Sequence, residues 1–195
     1  MTHKKLSQSD LPHHTCDIID SKWVDFFLQE WKGLFRRILV LGESPALNWR
    51  VLSWRAFYTL DGKLVASWKR FNELFSRFWF GIEDVSFSEI CKCILGKQRW
   101  LLKKCSPKCA WHLLKQIDHC KPKLIIILGK HTLEVFNEMY GLAIPFGSIE
   151  SIVLWEKERT LFSLYHPSPI HPRSMEWNKE LIHSHAKEIE KILWD

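Results

Sequence analysis

Residues 124–129 read LIIILG. An unbroken run of five apolar residues, three of them β-branched and halted by glycine, is what a strand buried on both faces requires. Strands of that kind belong to parallel sheets. RILVLG (37–42) is built the same way, and TLFSLYH (160–166) and VSFSEICKCI (85–94) supply a third and a fourth strand. Segments with apolar residues at helical spacing lie between and around them: SKWVDFFLQEWKGLF (21–35), ASWKRFNELFSRF (66–78), CAWHLLKQIDHC (109–120), HTLEVFNEMYG (131–141) and NKELIHSHAKEIEKILW (178–194). Strands alternating with helices predict an α/β fold, three layers α/β/α around a central, mainly parallel four-stranded sheet.

The composition sets outer limits. A chain of 195 residues, 46% hydrophobic and 26% charged, is long and apolar enough for one sizeable core. Residues 1–20 are expected to form a flexible tail, and 21–195 a single domain. MTHKKLSQSDLPHHT carries no apolar stretch of the kind a secretory leader needs, and no run of about 20 apolar residues is present. A cytoplasmic protein is therefore expected, with the six cysteines as thiols or metal ligands rather than disulfides; a monomer is the default expectation. The net charge of +6 suits a polyanionic partner, although ordinary solubility accounts for it equally well. The clustering of the cations is more telling. Lys97, Arg99, Lys103, Lys104, Lys108, Lys115, Lys121 and Lys123 share a stretch with Trp100 and Trp111, a mixture that suits DNA.

Ligands of parallel sheets sit beyond the carboxyl ends of the strands. Three of these ends carry marked residues: Gly42-Glu43-Ser44-Pro45, Glu89 through Cys93, and His166-Pro167-Ser168. The last opens a loop stiffened by Pro167, Pro169 and Pro172, none of which can continue a ladder. One site holding Glu43, Glu89 and His166 is expected. Taken singly, each residue has a plainer explanation: a hydrogen-bonded loop histidine, or a carboxylate at a helix start. Their convergence is what favours chemistry.

LVLGESPA, followed downstream by CKPKLIIILGKHTLEVF and YHPSPIHPRS, resembles the uracil-DNA glycosylase superfamily, and within it the family 4 branch. The resemblance covers roughly residues 36–173. It implies a monofunctional DNA glycosylase that flips a nucleotide out of DNA and hydrolyses its N-glycosidic bond, leaving an abasic site. His166 would donate to the departing base, and Glu43 would stabilise the sugar cation or orient the water. Ile170 would wedge into the gap left by the flipped base, while Ser44, Pro45, Ser168 and Arg173 would contact DNA. No cofactor is consumed in this chemistry.

Two features bear on the base: a departure from the family 4 pattern at Glu89 and, at Ala46, a small residue where the common uracil enzymes carry a tyrosine and family 4 a glycine. The branch has an asparagine reading uracil four residues before the cysteine of a Lys-Cys pair; counting back from Cys93, this chain has Glu89. A carboxylate accepts from the exocyclic amine of cytosine but cannot donate to uracil O4 unless protonated. Ala46, after Pro45, leaves room at the pyrimidine 5-position, and Phe57 is expected beside it in the base pocket. The favoured substrate is thus a 5-modified cytosine, such as glucosylated hydroxymethylcytosine of phage DNA. Uracil excision in repair remains the alternative, as does a non-catalytic DNA-binding protein on the same scaffold. Family 4 enzymes commonly hold an iron–sulfur cluster, but its N-terminal C-x-x-C pair is missing here, where Cys16 stands alone. Cys91, Cys93, Cys105 and Cys109 form a substitute set of four that suits iron–sulfur or zinc, or else are incidental thiols.

Overall fold

The computed structural model describes residues 35–44, 57–59, 61–92, 95 and 99–194. In chain order the elements are β1 (Phe35–Gly42), α1 (Ala66–Phe75), β2 (Val85–Glu89), α2 (Leu102–Cys120), β3 (Leu124–Leu128), α3 (Lys130–Tyr140), β4 (Ile149–Leu154), β5 (Lys157–Leu164), α4 (Ser174–Ser184) and α5 (Ala186–Trp194). The strand order is β2-β1-β3-β5-β4. The first four are mutually parallel and β4 runs antiparallel to β5. The expected helix over 21–35 lies outside the described residues except for Phe35, which opens β1.

Alternation along the strands builds the two outer layers. Leu39, Leu41, Ile125, Ile127 and Leu161 pack with the buried faces of α2 and α3. Their neighbours Ile38, Val40, Leu124, Ile126, Leu128, Phe162 and Leu164 pack on the opposite face with α1, α4 and α5. Both faces are therefore apolar, as the unbroken runs required. Each such side chain, once buried, contributes roughly 1.5–3 kcal/mol of transfer free energy.

The sheet has five strands where four are expected. The additional β4 is an edge strand on which only Ile152 and Leu154 are buried. Its hairpin to β5 turns through Trp155 and Glu156, with φ of 54° and 62°. Two left-handed residues give the tight turn that suits a twisted hairpin, a place usually held by Asn-Gly. Trp155 is fixed there by an edge-to-face contact with Trp111 of α2, ring centroids 5.0 Å apart.

Several boundaries also differ, three of them with an evident cause. β2 ends at Glu89, although Ile90 and Cys91 still donate to the carbonyls of Gly42 and Glu43 (2.9 and 3.1 Å). α2 begins seven residues early and contains Pro107, because its buried stripe (Leu102, Ser106, Cys109, Ala110, Leu113) starts ahead of the proline. The closing helix is two helices broken at His185. Among the described residues, no helix is long and apolar enough to cross a membrane.

Candidate active site

β1 is followed in sequence by β2 on one side of it and then by β3 on the other. This reversal opens a crevice at the carboxyl end of the sheet. Along that edge stand, in spatial order, Glu89 ending β2, Glu43 just past β1, Gly129 just past β3, and His166 two residues past β5. The three expected residues therefore share one end of the sheet, with Gly129 (φ 104°) as the small residue between them.

Glu89 is the register partner of Gly42. It follows Val85 and Phe87 on the α1 face, and its carboxyl lies directly on the Gly42 backbone. A Cβ at position 42 would overlap Glu89 Oε2 and stand 3.1 Å from Phe87 Cζ, so the approach requires glycine. Glu89 is buried, and among the described residues Oε2 has no hydrogen-bond partner. Burial pushes its carboxyl up to about 8; Lys92 opposes the rise and Glu43 adds to it.

Lys92 turns beneath this strand end. Its ammonium donates to Ser88 Oγ (2.5 Å), the Glu89 carbonyl (2.5 Å) and Gln116 Oε1 of α2 (2.7 Å). Burial brings this amine down to about 8. The buried cation thus ties the last residues of β2 to α2 and fixes the backbone that carries Glu89.

Phe57, Trp68 and Phe87 form a triangle of edge-to-face rings with centroids 5.0–5.1 Å apart. Trp68 also meets the His166 ring at 6.3 Å. An aromatic floor therefore joins the carboxyl of Glu89 to the imidazole. Burial, helped by the charges of Arg99 and His171, lowers the His166 imidazole to about 4. The ring is neutral at physiological pH and retains one N–H to donate.

The loop after β5 is held from three sides. The Asn178 side-chain amide donates to the Tyr165 carbonyl and accepts from the Tyr165 N–H, both at 2.9 Å. Gly129 N–H donates to the Leu164 carbonyl at 2.7 Å. Arg70 of α1 donates to the Ser168 carbonyl at 2.9 Å. Ile170 projects into solvent, 81% exposed, and Arg173 is exposed at the start of α4. Glu43 is mostly covered and pairs with Arg99, Nε to Oε1 3.5 Å.

A family model described as the uracil DNA glycosylase superfamily matches residues 34–187. The chain belongs to this superfamily. A type-4 uracil-DNA glycosylase of Archaeoglobus fulgidus is 22% identical over 138 residues, which are 68% of this chain and 66% of that protein. The chain thus spans just under two thirds of that relative's length.

As a superfamily member the chain places Glu43, Ser44, Phe57, Glu89, His166, Ser168, Ile170 and Arg173 among its described residues; Pro45 and Ala46 lie outside them. Lys92, Trp68, Arg99 and Asn178 are contributors to the site that the sequence reading did not single out. Arg99, inside the cationic cluster, and Lys92, in the Lys-Cys pair that ends at Cys93, left a signal there; Trp68 and Asn178 left none. Among the described residues the cysteines do not gather as a metal set would. Cys91 and Cys109 are fully buried, and the Cys109 sulfur accepts the Lys92 backbone N–H at 3.3 Å. No three His, Cys, Asp or Glu side chains among the described residues are grouped to hold a metal. Cys93 lies outside those residues. The described thiols do not fit a four-thiolate centre.

Proposed function

We propose that the protein is a DNA glycosylase that excises a 5-modified cytosine. The observation that carries this reading is Glu89: a buried carboxyl at a strand end, laid on Gly42, with one oxygen unpartnered among the described residues. In its neutral form it donates through O–H and accepts through C=O. Cytosine offers the complement, an N3 acceptor beside the N4 amine. Cytosine is also a poor leaving group unless N3 gains a proton, and a neutral carboxyl supplies one as the bond breaks.

The remaining roles follow from position. The flipped base enters over the aromatic floor, with its O2 toward His166. Negative charge developing on the base is met by the neutral imidazole N–H, a donor already in place that needs no reorganisation. Glu43 faces the sugar, where its carboxylate stabilises the oxocarbenium-like cation and orients the attacking water. Ser168 and Arg173 take flanking phosphates. No cofactor is consumed. Activity on glucosylated hydroxymethylcytosine would serve defence against phage DNA, and the 5-substituent would distinguish target from ordinary cytosine.

Four matched oligonucleotides carrying uracil, cytosine, 5-hydroxymethylcytosine and its glucosylated form test this reading, with abasic sites scored by alkaline strand cleavage in single turnover. The expected result is release of the 5-substituted cytosine and sparing of cytosine. Preferential release of uracil assigns the protein to uracil repair. Binding without release from any of the four assigns it to DNA binding alone.

Ile170→Ala is expected to slow release from duplex about tenfold or more while leaving single-stranded substrate nearly unchanged, because only a duplex leaves a gap for the wedge. Equal losses on both substrates would rule out that role.

A further inference from the structure

The loop after β5 borders the crevice on one side. On the other, a single turn of 3-10 helix, Arg99–Leu101, leads into α2. Arg99 and Trp100 on this turn are highly exposed, the residue Trp100 to 73%. Such exposure removes an indole from any part in the core and leaves its face to water, an unfavourable place for a large aromatic. The turn is nonetheless part of the site's edge, since Arg99 reaches Glu43 and its charge is felt at His166. The chain then runs on through Lys103 and Lys104, both exposed, with no acidic residue in the first turn of α2.

Resting on the DNA reading above, we propose that this turn is a second DNA-holding edge, facing the loop after β5 across the crevice: Trp100 stacks on a nucleobase beside the flipped nucleotide and Arg99 takes a backbone phosphate. An aromatic face set among cations is the combination that holds splayed bases and their backbone, and it is indifferent to sequence. The ion pair of Arg99 with Glu43 fits an exchangeable contact. Its 3.5 Å separation and the 76% exposure of the Arg99 side chain leave it open to solvent screening, so a phosphate can replace Glu43 as partner at little cost. The exchange would also free Glu43 to turn to the sugar.

The test is equilibrium binding to an oligonucleotide with a tetrahydrofuran abasic analogue, as duplex and as single strand, read by fluorescence anisotropy across a salt series. Trp100→Ala is expected to weaken binding roughly five- to a hundredfold, the range for losing one stacked base. Trp100→Phe, which still stacks, should recover most of that loss. Arg99→Gln should lower the slope of log affinity against log salt by about one phosphate contact. Trp194→Ala, an exposed indole at the end of α5, should change neither. Wild-type affinity and slope in both Trp100→Ala and Arg99→Gln would overturn this second edge while leaving the glycosylase reading intact. A wild-type protein with no affinity for either oligonucleotide would overturn both.

Discussion

His166→Ala is expected to lower base release in single turnover by on the order of 10²–10³-fold, with DNA affinity and fold preserved. The size follows from what the ring supplies. It is held neutral by burial beside Trp68 and by the charge of Arg99, so on the proposed reading it would offer an N–H to the developing anion and no charge to the ground state. Because the imidazole is lowered to about 4, the wild-type rate should show no His166 inflection between pH 5 and 7. The same shift has a sign for stability. The unfolded chain protonates near 6.5 and the folded one near 4, so the neutral ring's contribution is present above 6.5 and is lost as pH falls through about 4. His166→Ala should therefore unfold less readily in acid relative to its own stability at pH 7. A variant that releases base at the wild-type rate would remove His166 from the chemistry.

Glu89→Gln should reduce release of the 5-substituted cytosine by on the order of 10²-fold or more, the usual worth of a placed general acid. The amide keeps a donor and an acceptor but has no proton to give. Wild-type activity on this substrate should decline as pH rises through about 8, where the carboxyl ionises, and that decline should be missing in Glu89→Gln. Glu89→Asn should gain uracil release, since an amide can accept from uracil N3–H and donate to O4. Single-turnover rates over pH 6–10 for the three proteins on the two bases provide the measurement. Identical pH profiles in the wild type and Glu89→Gln would show that Glu89 delivers no proton.

The sequence was most legible where burial was most complete. β1, β3 and β5 follow from apolar runs that end in glycine or run into a proline-stiffened loop, and the strand-end rule then brings Glu43, Glu89 and His166 to one edge. β4 was illegible for a specific reason: its turn places Trp155 and Glu156, rather than glycine or asparagine, in left-handed conformation, and a contact with Trp111 some forty residues earlier holds it. The break at His185 was hidden because the apolar stripe continues on both sides of it. The same holds within the site. Arg70 reaches Ser168, Asn178 reaches Tyr165 and Lys92 reaches Gln116, all through contacts between distant segments that no local pattern records.

The Asn178 amide occupies both backbone bonding groups of Tyr165, as a neighbouring strand would, at the point where the chain leaves the sheet. Together with Arg70 and Gly129 it leaves the loop after β5 little freedom to adapt. On the proposed reading, the distortion that brings a base to His166 is then borne by the nucleic acid and not by the protein. Sites within stiff, well-stacked tracts should be processed slowly, and those at easily kinked pyrimidine–purine steps or beside mispairs quickly. The selectivity of the enzyme would in that case lie partly in the mechanics of its substrate, at positions that no side chain touches.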